Sequence, residues 1–161
     1  MPTNILRRSS KKPATAPSAS RSSATNVERF AVIRAGGVRI RVRLSNTPTA
    51  DRIWRALPIF STAQLWGQGE VFFETRIESG RERGAKVLVH AGEIAFSPDR
   101  DVIAIAFART PTSKPGELRL WSPSNIWAQA LDDVSALQSV RPGEKIEVRA
   151  LPGDPADDLK I

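Results

Sequence analysis

The stretch AGEIAFSPDRDVIAIAFARTP, residues 91–111, decides the fold, because it contains two β-strands and the turn that joins them. Ile94 and Phe96 share one face of the first strand, and the SPDR that follows has proline in the second position of a tight turn. Large and small apolar residues then alternate over residues 102–108, as in a strand that is covered on both sides. The pattern predicts a hairpin in the wall of a β-barrel rather than a binding site.

A second hairpin lies upstream, in RFAVIRAGGVRIRVRL at residues 29–44. Gly36 and Gly37 separate two β-rich runs by the spacing of a two-residue turn, in which both glycines can adopt positive φ angles. The second strand alternates apolar residues with arginines, so the two kinds of residue lie on opposite faces.

Residues 47–58 predict a short helix. Thr47 is a suitable N-cap, Pro48 suits the first helical position, and Pro58 ends the helix. The apolar residues at helical spacing form one stripe that faces the core, namely Ala50, Ile53, Trp54 and Leu57.

The rest of the chain predicts short antiparallel strands and one further short helix. The strands cover residues 59–66, 70–77, 87–97, 102–108, 118–131 and 144–151, and the helix lies near residues 132–137. About eight short strands with two short helices indicate a mainly β fold, a closed or nearly closed barrel. Strand periodicity by itself does not distinguish a barrel from a sandwich.

The positive charge of the chain is concentrated in its first part. The formal net charge is +7, and residues 1–29 carry six basic residues and one acidic residue. Residues 1–28 are rich in Ser, Pro and Ala and have too few large apolar residues to offset the entropy of ordering them. We therefore expect a disordered basic tail at residues 1–28, a barrel domain at 29–152 and a loose C-terminal tail at 153–161.

Three roles for the basic tail remain open. It is a plain solvated extension, an electrostatic arm for nucleic acid or an anionic membrane, or an organelle transit peptide. Pro2, Pro13 and Pro17 disfavour the amphipathic helix that a transit peptide needs. The barrel domain itself is nearly neutral, so any nucleic-acid binding is suggested by the tail alone.

The composition excludes several kinds of chemistry. The chain has no cysteine and one histidine, His90, so neither a thiolate nucleophile nor the usual ligand set of a zinc site is expected. It has no glycine-rich phosphate loop, and we expect no metal and no cofactor. No run approaches the ~20 apolar residues that span a bilayer, and the N-terminus lacks the apolar segment of a secretory signal. The sequence thus predicts a soluble, cytoplasmic protein.

The order of the motifs resembles one protein family. A helix that ends in ALP, followed by WGQGEVFF, GEIAFSP, an apolar strand, TPTS and SPSNIW, is similar to the small prokaryotic cyclophilin-like proteins. The resemblance covers about residues 36 to 151. It implies a cyclophilin-type barrel with no established activity.

The same resemblance implies which residues a prolyl isomerase of this fold would have. These are an Arg next to a Phe-His pair, a downstream Gln-Gly-Gly-Asp stretch and aromatic residues that form a proline site. The nearest match is the run from Phe73 to Arg76, where Glu74 stands in place of His, and the Gln-Gly-Gly-Asp stretch is missing. A degenerate peptidyl-prolyl isomerase, with Arg76 and Phe73 holding and polarising the proline amide, is therefore the alternative hypothesis.

Three groups of polar residues have structural interpretations that we prefer. The ladder of Arg39, Arg41 and Arg43 could contact phosphates. We expect it instead to be neutralised across the sheet by Glu74, Glu78 or Glu147. The acid pairs Asp99/Asp101 and Asp132/Asp133 suit a turn and a helix cap better than a metal or glycosidase site. Ser122 and Ser124 have only His90 as a possible base and lack a nucleophile elbow.

The remaining hypothesis is a ligand site at the mouth or side of the barrel, where barrels of this size hold small molecules. Its candidate residues combine aromatic surface with a few polar groups: Trp66, Glu70, Phe72, Trp121, Ser122, Asn125 and Trp127. The first functional hypothesis is a barrel that binds a small molecule or a peptide segment without established catalysis. A nucleic-acid-associated accessory role for the tail is the second alternative.

Overall fold

The computed structural model describes residues 27–152. The predicted C-terminal tail and all of the predicted basic tail except residues 27 and 28 lie outside this range, and their roles stay predictions. Across the described range, no helix combines the length and the apolar character needed to cross a membrane.

The described part begins with the predicted glycine hairpin. Strands β1 (Phe30–Ala35) and β2 (Val38–Leu44) pair antiparallel, and Gly36 and Gly37 form the turn between them. Of the two glycines only Gly36 has a positive φ, at 58°. Because a side chain is strained at that φ, glycine is needed at the first turn position and not at the second.

Helix α1 (Pro48–Ala56) confirms the predicted helix. The Thr47 side chain accepts a hydrogen bond from the Ala50 N–H at 3.2 Å, as an N-cap should. Ala50 and Ile53 are completely buried against the barrel, and Trp54 packs partly against the same core.

The predicted strand at residues 59–66 is in fact two strands. β3 (Ile59–Thr62) pairs with the last strand of the chain, whereas β4 (Gln64–Trp66) pairs with β5 (Glu70–Glu74). Between them, Ala63 donates its N–H to the Glu144 carbonyl and accepts from the Gly143 N–H, each at 2.8 Å. The chain therefore crosses at Ala63 from one edge of the sheet to the other.

The other elements follow in chain order. They are β6 (Lys86–Val89), β7 (Glu93–Ser97), β8 (Val102–Ala106), β9 (Leu118–Ala130), a 3-10 helix (Val134–Ser139) and β10 (Lys145–Leu151). β5 ends at Glu74, not at the predicted Ile77, because its partner β8 begins at Val102, directly opposite Glu74.

The strands form one strongly curved sheet in the order β3-β10-β1-β2-β9-β7-β8-β5-β4, and β6 pairs with the first part of β9. The two edge strands of this sheet, β3 and β4, follow each other in the chain on either side of Ala63. We call the line along which the two edges meet the seam, and the Ser61 hydroxyl donates a hydrogen bond across it to the Glu74 carbonyl at 2.8 Å. In the part of the chain that the structure describes, the predicted mainly β, nearly closed barrel with two short helices is confirmed. Within residues 27–152 the strands number ten, because residues 59–66 and 87–97 each divide in two.

The hairpin of residues 91–111 forms the barrel wall, as predicted. Ile103 and Ile105 belong to the main core inside the barrel, whereas Ala104 and Ala106 belong to a second, smaller apolar cluster on the outer face. Leu120, from the first part of β9, covers the alanines on that side. The small residues therefore let β6 and β9 pack closely on the outside of the barrel.

Within the arginine ladder of β2, Arg41 has a partner that was not among the three predicted glutamates, Asp132. Arg41 donates from Nε and Nη2 to the two carboxylate oxygens of Asp132 at 2.9 and 2.6 Å. Asp132 follows β9, which pairs with β2, so the end of the neighbouring strand supplies the carboxylate. Asp132 is thus an ion-pair residue, and Asp133 alone caps the 3-10 helix, accepting from the Ser135 N–H at 2.9 Å.

Candidate functional site

Strand β5 presents Glu70 and Phe72 on the outside of the barrel. The alternate residues Val71 and Phe73 are buried in the main core, so the strand pleat turns the other two away from it. Phe72 packs against the second apolar cluster. Five residues on this side of the barrel form what we call the outer-face cluster: Trp66, Glu70, Phe72, Arg100 and Trp121.

Two tryptophans from distant parts of the chain meet in this cluster. Trp66 lies directly opposite Glu70 in the β4–β5 pairing, and Trp121 comes from the first part of β9. Their ring centres are 5.2 Å apart with an interplanar angle of 66°, which is an edge-to-face contact. Trp121 is 61% exposed, so the cluster opens to solvent on this side.

Arg100 covers the aromatic rings. The turn between β7 and β8 carries it, and the guanidinium carbon lies 4.9 Å from the centre of the Phe72 ring and 5.3 Å from that of Trp121. Both distances are within the range of cation–π attraction. The sequence placed Arg100 in a tight turn, but nothing in the local pattern indicated which rings it would reach.

Glu70 is the unusual member of the cluster. It is only 3% exposed, and within the described part of the chain its Oε1 has no hydrogen-bond partner. Burial raises the pKa of Glu70 to about 7, although the charge of Arg100 partly opposes the shift. The carboxyl group therefore changes charge near neutral pH, and its Oε1 is a buried acceptor that has no partner in the described structure.

Ser122 lies at the margin of the outer-face cluster. Its hydroxyl is 3.2 Å from the hydroxyl of Ser97, where the turn that carries Arg100 begins. The Ser124 hydroxyl donates to the Ser122 carbonyl at 3.0 Å. Neither of these bonds involves His90, so the structure shows no Ser–His pair here.

Asn125 belongs to a different part of the barrel. Its side-chain amide donates to Thr49 Oγ1 and to the Gly80 carbonyl, and its Oδ1 accepts from the Glu82 N–H, all at 2.9 Å. These bonds tie the loop after β5 to the start of helix α1. The side chain of Asn125 is thus occupied by the protein itself.

Trp127 is also separate from the outer-face cluster. It is completely buried in the main core, inside the barrel, and among the described residues its Nε1 has no hydrogen-bond acceptor. Of the seven predicted ligand-site residues, the structure gathers Trp66, Glu70, Phe72 and Trp121, with Ser122 beside them.

The two residues of the isomerase hypothesis do not share an exposed surface. Phe73 is completely buried in the main core, whereas Arg76 lines a surface cavity of about 530 Å³ at the seam between β3 and β5. In residues 27–152 no three His, Asp or Glu side chains are grouped so that they could hold a metal ion.

Comparison with known proteins agrees with the fold. A protein-family model described as Cyclophilin-like matches residues 30–149. A hypothetical protein from Archaeoglobus fulgidus, known from a solution structure, is 31% identical with a TM-score of 0.66, over 76% of this chain and 95% of its own. No curated protein matches the chain.

Proposed function

The chain belongs to the cyclophilin-like family, and from this we propose that it is a binding protein whose barrel holds a small molecule or a peptide segment at the outer-face cluster. The proposal contains no catalytic step. It treats the barrel as a rigid support and the cluster as the surface that meets the ligand.

The observation that carries the proposal is the unpartnered oxygen of Glu70. A buried polar atom without a hydrogen bond is costly, and the large majority of buried side-chain polar atoms in folded proteins have a partner. Oε1 of Glu70 has none in the described structure, and it lies in a cluster whose Trp121 is open to solvent. A ligand that donates a hydrogen bond would supply the missing partner.

The aromatic residues support the same site. Tryptophan combines a large apolar surface with an N–H donor, and it is enriched where proteins bind partners. Trp66 and Trp121 together offer such a surface beside the one buried carboxyl group of the cluster. A few polar groups set among aromatic side chains are typical of ligand sites.

The proposal is tested first by looking for a ligand that remains bound during purification. We expect native mass spectrometry of the full chain to show added mass, or a screen of small molecules and proline-containing peptides to shift the indole signals of Trp66 and Trp121. If no compound changes these signals, the proposal is wrong.

A matched pair of variants locates the site. Trp121→Ala should abolish binding, because it removes most of the exposed ring surface. Phe60→Ala is the control, since Phe60 is another exposed aromatic residue, 66% accessible, with the guanidinium of Arg149 above its ring. Equal loss of binding in both variants would place the ligand elsewhere.

A further inference from the structure

We infer that the outer-face cluster accepts a cationic group, a guanidinium or an ammonium, and that the Arg100 side chain occupies the place of this group in the ligand-free protein. The inference rests on the proposed function, since it names the chemical class of the ligand for the same site.

The aromatic rings of the cluster favour a cationic ligand. The face of an aromatic ring is electron-rich and attracts a cation that lies within about 6 Å of its centre. Phe72 and Trp121 already hold the Arg100 guanidinium at 4.9 and 5.3 Å. The rings are therefore arranged so that one cation contacts two of them at once, and Trp66 extends the surface beside Trp121.

The carboxyl group of Glu70 also favours a cationic ligand. An ionised carboxylate only accepts hydrogen bonds and repels an anionic ligand, and a neutral ligand that displaced Arg100 would leave the buried charge uncompensated. A cation with an N–H would satisfy Oε1 and neutralise the charge together. Arg100 acts on Glu70 through its charge, yet the described structure shows no hydrogen bond from Arg100 to Oε1.

Arg100 can leave the rings without disturbing the fold. The residue is exposed, and its turn is held by main-chain bonds from the N–H groups of Arg100 and Asp101 to the Ser97 carbonyl, at 3.3 and 2.9 Å. Within residues 27–152, no hydrogen bond or ion pair holds its guanidinium. A ligand cation would therefore compete with Arg100 for the ring faces and, as Arg100 does now, would place its charge near Glu70.

The test uses a pair of probes that differ only in charge. n-Butylguanidinium is the cationic probe, and n-butylurea is its neutral isostere. Binding to the full chain is followed by the indole N–H signals of Trp66 and Trp121 in NMR spectra and by tryptophan fluorescence. We expect the cation to bind at least about tenfold more tightly than the urea, a difference that two ring contacts and one charge can supply. Equal affinities would overturn the inference.

Two variants test the roles of the charged residues. Glu70→Gln keeps the size of the side chain and should weaken binding of the cation about tenfold or more, while leaving the urea unaffected. Arg100→Ala should strengthen binding of the cation several-fold, since the internal competitor is gone. The control is Arg149→Ala, which removes another arginine that covers an exposed ring, Phe60, and should change nothing. Weaker binding in Arg100→Ala would show that Arg100 contacts the ligand instead of standing in for it, and would overturn the inference.

Failure of this inference is distinguishable from failure of the proposed function. A neutral or anionic ligand that depends on Trp121 would overturn the cationic class and leave the binding site in place. If neither probe nor any other compound changes the signals of Trp66 and Trp121, both the inference and the proposed function are wrong.

Discussion

The side-chain amide of Asn125 donates a 2.9 Å hydrogen bond to the hydroxyl of Thr49, which is 76 residues away in the sequence. The same Thr49 oxygen lies 2.8 Å from the Ser79 hydroxyl, and Asn125 also binds the main chain at Gly80 and Glu82. Asn125 is therefore the centre of a buried polar network that joins β9, helix α1 and the loop after β5.

We expect Asn125→Ala to lower the free energy of unfolding by about 2–3 kcal/mol, because it leaves buried donors and acceptors without partners. Denaturant unfolding monitored by tryptophan fluorescence measures the loss. Gln129→Ala is the control, since Gln129 is an exposed amide on the same strand, and its effect should be within about 0.5 kcal/mol. A similar loss in both variants would contradict the structural role of the network.

The Arg41–Asp132 ion pair leads to a second prediction. Arg41→Ala should cost about 1–2 kcal/mol of stability, since the pair is two-pronged and Arg41 is mostly buried. Arg43→Ala is the control, because Arg43 is exposed on the same strand and face. Equal effects of the two variants would show that the ion pair adds nothing.

The pH dependence of the stability of the Asp132→Asn variant tests the same ion pair. The hydrogen bonds from Arg41 hold the pKa of Asp132 below its ordinary value. A carboxylate with a lowered pKa stabilises the folded state above its ordinary pKa and loses this effect as the pH falls through the lowered one. Wild type should therefore exceed Asp132→Asn in stability at neutral pH, and the difference should shrink on acidification below about pH 4.

A third prediction concerns catalysis. A proline-peptide assay with the full chain should give the uncatalysed rate of cis–trans isomerisation, because Phe73 is inside the barrel and cannot contact a peptide beside Arg76. An acceleration that Arg76→Ala abolishes would contradict this prediction and support the isomerase alternative. Arg52→Ala, at another exposed arginine, is the control.

Local sequence patterns predict the elements of this fold and one side of the site. Strand alternation places Glu70 and Phe72 on the same face of β5, and the pairing of β4 with β5 adds Trp66. These relations depend on neighbours in the sequence, where the period of a strand is reliable. The barrel hairpin of residues 91–111 was predictable for the same reason.

The parts that were not predictable depend on long-range geometry. The register between β6 and β9 shifts between Lys86 and Leu88, and that between β7 and β9 shifts between Ile94 and Ala95. Trp121 and Trp127 are an even number of residues apart, so a regular strand would put both on the same face. The register shifts interrupt this alternation along β9, which explains why Trp121 is exposed and Trp127 is in the core. The reach of Arg100 depends on how the turn packs across two strands, which periodicity does not describe.

Gly69 gives a fourth prediction. A methyl group at this position would overlap the carbonyl oxygens of Ala108 and Arg109, which are main-chain atoms and cannot move aside freely. Gly69→Ala should lower the free energy of unfolding by more than about 2 kcal/mol and shift the indole signals of the adjoining cluster.

The matched control for Gly69→Ala is Gly37→Ala. An added methyl group at Gly37 has open space around it, and the φ of Gly37 is not positive. Its effect should lie within about 1 kcal/mol of wild type, because alanine meets no clash in the folded protein and restricts the unfolded chain. Comparable destabilisation by the two substitutions would show that the close approach at Gly69 is not limiting.

The last prediction concerns the pH dependence of stability through Glu70. Its pKa is raised from the ordinary 4.5 to about 7 in the folded protein by burial. The folded state then binds the proton more tightly than the unfolded chain, so stability falls as the pH rises from about 4.5 to about 7 and is level above that. The total loss is on the order of 3 kcal/mol, since one pH unit corresponds to about 1.4 kcal/mol.

Glu70→Gln removes this loss, because the amide is neutral at every pH. The variant should match wild type near about pH 4.5 and exceed it in stability near about pH 8, with the difference growing between these values. Denaturant unfolding across this range measures the effect, and Glu74→Gln, an exposed residue on the same strand, is the control. A difference that is the same at both ends of the range would mean that Glu70 is ionised in the folded protein throughout, with a partner that the ligand-free cluster does not show.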